Sequence, residues 1–255
     1  MKILVCIKQV PDMESKFKVE GTWYAQTDLA WRMNEYDEYG VEQAIRLKEQ
    51  VKDADITVLS IGSDQIKETM KKALAMGCDR GVHIADDGAQ LREAFQIAGI
   101  VAEFAKDKGF DLIFTGMQSQ DRGSGQVGIL VAEMLGLPSI STIVDFKYDG
   151  GMVEVRRELE GGMKAAVKVA APLVVTCQLG LNTPRYPTLP NIMKAKKKEL
   201  LSIPAVELLK VDSIEETEKA AFPEKKGGGQ ILEGDVAELV ETVVGILKEK
   251  TGVLV

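Results

Sequence analysis

The sequence predicts an α/β protein with a doubly wound, mostly parallel sheet, added hairpin strands, and a C-terminal arm and helix. In the first half, β-rich apolar runs alternate with amphipathic segments at short spacing. This alternation is typical of right-handed βαβ units with helices on both faces of a sheet. In the second half, short apolar runs are separated by paired glycines, as in hairpins. Prolines and a long polar segment then precede a last amphipathic stretch.

Four strand–helix pairs account for the first half. Asn34 or Asp37 caps the first helix, and Ser63 caps the second, because short polar side chains satisfy free N–H groups at helix starts. The predicted strands are residues 2–10, 55–62, 81–85 and 111–116, and the last two helices are residues 91–105 and 127–135.

The second half is expected to extend the sheet and then leave it. We predict added hairpin strands at residues 142–146, 153–157, 165–169 and 173–176. Pro184, Pro187 and Pro190 exclude a regular helix or a central strand in their segment. A flexible glycine joint at residues 227–229 leads to a helix at residues 235–250, whose apolar stripe is expected to pack on a partner chain.

The composition excludes several classes of function. The chain has 255 residues and a net charge of −7, which argues against a nucleic-acid partner. No apolar run reaches the roughly 18 residues of a membrane span, and we expect no export signal at the N-terminus. We therefore expect no membrane insertion. The three cysteines stand far apart, which predicts reduced thiols in a cytoplasmic protein.

Residues that could carry out catalysis are not evident. His83 is the one histidine, and it lies in a predicted strand, where a structural role is expected. The sequence offers no nucleophile beside a base, no distinct carboxylate pair and no cluster of metal ligands. We therefore expect neither catalytic residues nor a metal site in this chain.

A polar loop with two central glycines is the strongest candidate for ligand binding. It spans residues 116–128 (GMQSQDRGSGQVG) and connects a predicted strand to a predicted helix. Open parallel sheets bind ligands beyond the carboxyl ends of their strands. Gly123 and Gly125 allow a ligand close to the backbone, free N–H groups at the helix start favour phosphate, and Ser124 offers a hydroxyl. A plain polar turn is an equal alternative, because the loop matches neither the dinucleotide fingerprint nor a Walker A loop.

Three other polar segments are open to a structural interpretation. Residues 34–37 (NEYD) lie at the same edge of the sheet, where they either cap a helix or contact a ligand. Residues 156–162 place alternating charges on a strand, as on a solvated edge strand. Residues 194–198 (KAKKK) are either a solvated face or a docking patch for an acidic surface.

Several segments resemble the beta subunits of electron transfer flavoproteins. The strongest are RELEGG (157–162), PLVVT (172–176) and LNTPRYPTLPNIMKAKKK (181–198). Further matches are VCIKQV (5–10), AIRLKE (44–49) and ALAMGCDRG (73–81), so the resemblance covers most of the chain up to residue 200. Two departures lie in the ligand site: Glu35 replaces the usual proline, and the loop lacks the usual acidic run.

The resemblance implies a subunit of a heterodimeric electron carrier without catalytic residues of its own. The alpha subunit of that family carries the redox-active FAD, and the beta subunit holds an adenine nucleotide in an adenine-nucleotide-hydrolase-like domain. This nucleotide is usually AMP, whereas electron-bifurcating members hold a second FAD; the arm here resembles that of the AMP-containing carriers. Such proteins relay electrons from acyl-CoA dehydrogenases to a membrane quinone oxidoreductase.

The resemblance also divides the chain and assigns residues. Residues 1–200 form the nucleotide-binding domain with a partner-recognition arm (181–198), and residues 201–255 form an extension whose helix packs on the alpha subunit. Leu189 anchors the arm, and Glu158 faces an arginine of the alpha subunit near the flavin. The nucleotide-binding residues are Cys6, Asn34, Glu35, Tyr36, Asp37, Ile61, Gly116, Gln118, Gly123, Ser124, Gly125, Gln126 and Val127. The partner-binding residues are Glu158, Tyr186, Leu189, Pro190, Ile192, Met193, Lys194 and Lys197.

Two other classes remain as alternatives. A stand-alone nucleotide-binding sensor of the universal-stress type has a related fold but lacks the arm and the tethered helix. An ATP-using adenylation enzyme would need a pyrophosphate-binding loop after the first strand, which Pro11-Asp12-Met13 does not supply.

Overall fold

The computed structural model describes residues 1–224, 227 and 229–251. The chain forms two compact units, residues 1–220 and residues 221–255. The strands of the first unit are β1 (Lys2–Cys6), β2 (Gln9–Pro11), β3 (Val19–Glu20), β4 (Trp23–Tyr24), β5 (Trp31–Met33), β6 (Asp55–Gly62), β7 (Arg80–Ala85), β8 (Leu112–Gly116), β9 (Ser139–Asp149), β10 (Met152–Glu158), β11 (Lys164–Ala170), β12 (Leu173–Cys177) and β13 (Leu200–Pro204). Its helices are α1 (Glu35–Val51), α2 (Ile66–Met76), α3 (Ala94–Ala105), α4 (Val127–Leu135), α5 (Leu189–Ala195) and α6 (Ala205–Leu208).

One large sheet organises the first unit. Among the described residues it has nine strands in the order β11-β10-β9-β12-β8-β1-β6-β7-β13. Neighbours run parallel from β9 to β13 in this order, and β10 is antiparallel to both of its neighbours. Helices cover both faces, so the predicted doubly wound, mostly parallel sheet is confirmed.

The central strand β1 is buried on both faces. Ile3 and Val5 belong to the core beneath α1 and α2, whereas Leu4 belongs to the core beneath α3 and α4. Strands covered on both faces are continuous apolar runs, which explains why the sequence indicated this strand clearly. The predicted strand at residues 2–10 is nevertheless split, because β1 ends at Cys6 and β2 pairs with β5 instead.

The last of the four predicted hairpin strands has a different place in the sheet. β9, β10 and β11 form the expected antiparallel hairpins, but β12 lies between β8 and β9 and runs parallel to both. Every residue of β12 is buried. The prediction for residues 173–176 was therefore wrong in topology, because a short apolar run does not reveal which neighbours it pairs with.

Two helices begin later than the sequence suggested. The N-cap of α2 is Gln65, and Ser63 instead accepts a hydrogen bond from the Ile66 N–H on its backbone oxygen (3.1 Å). Leu91 lies in a short 3₁₀ turn and is 49% exposed, so α3 begins at Ala94. Polar residues near both starts made several N-caps plausible, and helix ends are the least certain part of such predictions.

The proline-rich segment contains a helix that we did not expect. α5 begins at Leu189, and Pro190 lies in its first turn, where a missing N–H group costs nothing. The Thr188 hydroxyl accepts a hydrogen bond from the Asn191 N–H (3.4 Å) and caps the helix. The prediction that prolines exclude a helix was therefore wrong for residues 189–195.

The second unit contains the predicted C-terminal helix. α7 spans Val236–Thr251, and the Asp235 carboxylate accepts hydrogen bonds from the N–H groups of Ala237 and Glu238 at its start. Val236 and Val240 are 77% and 55% exposed. The predicted glycine joint at residues 227–229 includes Gly228, which lies outside the described residues. No helix in the described part of the chain is both long and apolar enough to cross a bilayer.

Candidate functional site

A cleft of about 400 Å³ lies beyond the carboxyl ends of β1, β6 and β8. α1 and α4 lie on opposite faces of the sheet here, so this is the point where the order of the strands reverses, the usual ligand site of such sheets. The cleft lining includes most of the expected nucleotide-binding residues: Cys6, Asn34, Asp37, Ile61, Gly116, Gln118, Ser124, Gly125, Gln126 and Val127. Of the other three, Glu35 and Tyr36 contact the loop from outside the lining, and Gly123 shapes the loop.

Asp37 holds three segments of the cleft together. Its carboxylate accepts hydrogen bonds from the backbone N–H groups of Lys8 (2.7 Å), after β1, and Gly116 (3.0 Å), at the end of β8. Burial raises the pKa of Asp37 to about 7, although both hydrogen bonds favour the ionised form. Asp37 therefore acts as a brace between α1 and two strand ends rather than as the helix cap that the sequence suggested.

Asn34 is the N-cap residue of α1, as predicted, but its side chain makes no capping hydrogen bond and contacts the loop that follows β8. Its amide donates to the Gln118 carbonyl (2.9 Å), and its side-chain oxygen accepts from the Gln120 N–H (3.0 Å). Glu35 accepts from the Gln120 side chain (3.0 Å), and the Tyr36 hydroxyl accepts from the Gln118 side chain (3.3 Å). The segment 34–37 therefore both begins α1 and positions the loop, although neither Asn34 nor Asp37 caps the helix with its side chain.

The loop residues 117–126 bring the start of α4 to the cleft. Gly123 and Gly125 have φ values of +63° and +64°, a left-handed conformation that side chains other than glycine rarely adopt. Gln126, at the N-cap position, makes no side-chain capping hydrogen bond. Since the first N–H groups of a helix lack intrahelical partners, this end of the cleft favours an anion.

The thiols near the cleft are not suited to nucleophilic chemistry. Cys6 lines the cleft wall with Ile61, and Cys177 is fully buried in β12. Burial raises the pKa of Cys6 and Cys177 above the usual thiol range, and it raises the pKa of Cys78 to about 12. A protonated thiol is a weak nucleophile, so these side chains serve as apolar wall and core.

Several cleft residues were missed in the sequence. The Lys8 ammonium pairs with Asp121 at 2.7 Å, and Gln9 follows Lys8 in the lining. Both directly follow β1, so the rule about strand ends could have found them. Trp23 could not have been found in this way, because the β3–β4 hairpin meets the loop only through long-range folding, with the Arg122 guanidinium 4.5 Å from the Trp23 ring.

The arm (residues 181–198) presents an apolar surface to solvent. Tyr186 is 92% exposed, Leu189 is 79% exposed and Met193 is 61% exposed. Pro190, Ile192, Lys194 and Lys197 are exposed as well. Lys198, by contrast, turns inward and donates to the backbone oxygens of Leu74 (2.8 Å) and Cys78 (2.6 Å). The basic cluster is therefore part surface and part structural contact.

A network of ion pairs fixes the base of the arm on α1. The Arg185 guanidinium donates to both Glu42 oxygens, with Nε at 2.8 Å and Nη2 at 3.1 Å, and it also pairs with Glu49 at 2.6 Å. Asn182 donates to the Tyr39 carbonyl (3.0 Å). We call Arg185, Glu42 and Glu49 the Arg185 clamp. It holds the arm while the apolar side chains further along remain exposed.

Comparisons with known proteins identify the family. Residues 22–208 match the electron transfer flavoprotein domain. The chain is 37% identical to the electron transfer flavoprotein subunit beta of Bacillus subtilis (strain 168), covering 100% of both chains. It is 33% identical to that of Methylophilus methylotrophus, covering 99% of this chain and 100% of the relative. It is 34% identical to that of Homo sapiens, covering 98% and 97%.

The chain belongs to the electron transfer flavoprotein beta subunit family. The region of the electron transfer flavoprotein domain contains the ligand loop, Glu158 and the whole arm. The relatives are named as subunits of an electron-transferring flavoprotein, so an alpha subunit is the expected partner and a flavin takes part in the complex.

In this electron transfer flavoprotein subunit, Glu158 lies at the exposed end of β10. Its carboxylate accepts a hydrogen bond from the Gln178 side chain (3.2 Å), and its backbone oxygen accepts from the Thr142 hydroxyl (3.1 Å). The neighbouring Arg157 donates to the Ser141 hydroxyl (3.0 Å). Glu158 is thus free to meet a partner while its own strand is held in place.

In this electron transfer flavoprotein subunit, His83 does not line the cleft. His83 is buried in β7, as predicted, and its ring nitrogens contact the Ser202 hydroxyl (3.0 Å) and the Gly62 carbonyl (2.8 Å). The described residues contain no group of three or more side chains that could hold a metal ion.

Proposed function

We propose that this chain is the nucleotide-binding subunit of a heterodimeric electron transfer flavoprotein. It holds AMP in the cleft, and its alpha-subunit partner carries the redox-active FAD. The heterodimer works in the cytoplasm and relays electrons from acyl-CoA-type dehydrogenases to a membrane quinone oxidoreductase. The chain contributes no catalytic residue of its own. The observation that carries the proposal is the cleft, with left-handed glycines and an open helix start at the strand reversal.

The shape of the cleft supports a mononucleotide. Cys6 and Ile61 offer an apolar wall for a base, and Gly125, Gln126 and Val127 place backbone N–H groups where a phosphate would bind. A cleft of about 400 Å³ lies in the lower part of the range typical of small-molecule sites. The resemblance of the arm to that of simple electron carriers favours AMP over a second FAD.

Exposed apolar surface supports an obligate partner. On α7, Val236, Val240 and Val243 are 77%, 55% and 42% exposed, and they share one face of the helix. Exposed apolar stripes of this kind are typical of surfaces that a partner covers. We propose that the alpha subunit covers this face and that Glu158 meets an arginine of the same subunit beside the flavin.

The nucleotide content of the complex tests the proposal. The chain is co-expressed with its alpha subunit, the complex is purified, and the extracted cofactors are counted by chromatography against FAD and AMP standards. We expect one FAD and one AMP per heterodimer. Two FAD molecules per heterodimer would show a bifurcating flavoprotein instead, and a colourless homodimer would show a stand-alone nucleotide sensor.

Replacing Leu189 by alanine should weaken docking without affecting folding. Leu189 lies at the start of α5 and is 79% exposed, so it does not fold back on its own unit and its truncation removes almost no core packing. An apolar anchor at the centre of a small interface contributes about 2 kcal/mol, or roughly 30-fold in affinity. We expect electron transfer from an acyl-CoA dehydrogenase to fall by that factor.

Two comparisons separate docking from stability. The thermal midpoint, the bound flavin and the electron transfer to a small artificial acceptor should match those of the wild-type complex. Val206→Ala is a matched control, because Val206 is 78% exposed on α6, outside the arm. Normal dehydrogenase kinetics in Leu189→Ala would remove the anchor role.

A further inference from the structure

Arg122 is an uncompensated cation of the cleft. Lys8 pairs with Asp121 at 2.7 Å, and Arg92 pairs with Asp86. No carboxylate of the described residues lies within 4.0 Å of the Arg122 guanidinium. The other acidic groups of the lining are Asp37, whose carboxylate accepts the two backbone hydrogen bonds, and Glu215, which is exposed.

The Arg122 side chain is held in place with donors to spare. Its guanidinium lies 4.5 Å from the centre of the Trp23 ring, and Nη2 donates to the Gln90 carbonyl. Arginine presents a fork of N–H donors. In the described residues, the Gln90 carbonyl is the one hydrogen-bond acceptor that this fork reaches. The cation–π contact with Trp23 also holds the guanidinium in place, which prepares it for an anionic ligand.

Trp23 positions Arg122 in the cleft lining. The indole Nε1 of Trp23 is buried beside the Tyr24 side chain, so it is not open to a ligand in the cleft. The free donors at this place are therefore those of Arg122. A cation with free N–H donors favours a ligand that is both anionic and rich in oxygen atoms.

We propose that Arg122, held in place by Trp23, binds the phosphate of the nucleotide together with the N–H groups at the start of α4. The proposal rests on the nucleotide-binding function given above and adds the residues that select a phosphorylated nucleoside. Asp121 is the one acidic residue of the loop, and its pairing with Lys8 leaves the charge of Arg122 free for the ligand.

A comparison of two ligands tests the role of Arg122. The complex of full chain and alpha subunit is freed of nucleotide, and the affinities for AMP and for adenosine are measured by calorimetry. Arg122→Gln removes the charge but keeps a polar side chain. We expect the dissociation constant for AMP to rise about tenfold or more, since charge-assisted hydrogen bonds to phosphate are among the strongest in proteins. Adenosine, which lacks the phosphate, should bind equally to both proteins.

The controls distinguish this proposal from the function on which it rests. Arg80→Gln is the matched variant, because Arg80 pairs with Asp55 at the opposite end of the strands and should bind AMP as the wild type does. If Arg122→Gln lost equal affinity for AMP and adenosine, or lost affinity for neither, the proposed role of Arg122 would be overturned. The nucleotide-binding function would still stand. A wild-type complex that binds neither ligand would overturn the nucleotide-binding function itself.

Discussion

Replacing Gly116 by alanine is expected to destabilise the first unit by about 3 kcal/mol and to empty the cleft of nucleotide. A Cβ at this position would overlap Asp37 Oδ1 and would lie 2.9 Å from the Tyr36 Cβ, a distance that real Cβ atoms do not reach. Asp37 must then swing away and lose its hydrogen bond from the Gly116 N–H. The brace between α1 and the two strand ends would open, and the ligand loop would lose its position.

Thermal unfolding and cofactor content of the purified complex measure this effect. A loss of about 3 kcal/mol in the free energy of unfolding corresponds to a fall of about 6–12 °C in Tm for a unit of this length. The matched control is Gly40→Ala on α1, where a Cβ would lie 3.6 Å from Cys177 Sγ and from the Phe114 Cβ, in ordinary contact. Alanine is also the better helix former by about 1 kcal/mol, so Gly40→Ala should be neutral or stabilising. Equal Tm values for the two variants would contradict the brace.

The sequence was sufficient for the parts of the fold that depend on local pattern. β1, β6 and β8 are apolar runs buried on both faces, and the polar residues at their carboxyl ends could be assigned to one edge. The loop 116–128 became a candidate ligand site through that rule, and the resemblance then assigned its nucleotide-binding residues. β12 was misplaced and β13 was missed, because pairing partners depend on contacts between distant segments. Pro204 also ends β13, and proline in a strand argues for an edge position at best.

The missed parts of the candidate site have the same physical origin. Asn34 and Asp37 look like helix caps in the sequence, yet their side chains reach residues more than 70 positions away along the chain. Trp23 contacts Arg122 across a comparable separation. Local patterns locate such residues at an edge of the sheet, but only the folded chain shows which of them brace the loop and which face the ligand.

The second large effect is expected at the Arg185 clamp. Arg185→Ala should destabilise the arm and its packing on α1 by about 2 kcal/mol, because the Glu42 side chain is only 3% exposed and loses its forked partner. The loss stays below that of a fully unpaired buried charge, since Arg46 still donates to Glu42 at 2.7 Å. Glu49→Gln is the matched control: its side chain is 58% exposed, so removing its charge should cost less than about 1 kcal/mol.

The dependence on pH gives this prediction a signature that simple loss of packing would not produce. Burial of the Glu42 carboxyl raises its pKa, but hydrogen bonds from Arg185 and Arg46 outweigh this effect and lower the pKa below its ordinary value of 4.5. A carboxyl whose pKa is lowered by folding stabilises the folded state at pH values above its ordinary pKa. This stabilisation is lost as the pH falls through the folded-state pKa. The Tm difference between wild type and Arg185→Ala should therefore be full at pH 7 and should shrink below pH 4.5. The same variant should slow electron transfer from the dehydrogenase, because the exposed apolar residues of the arm lose their fixed base. A Tm difference that is constant across this range of pH would show that Arg185 contributes packing and not charge.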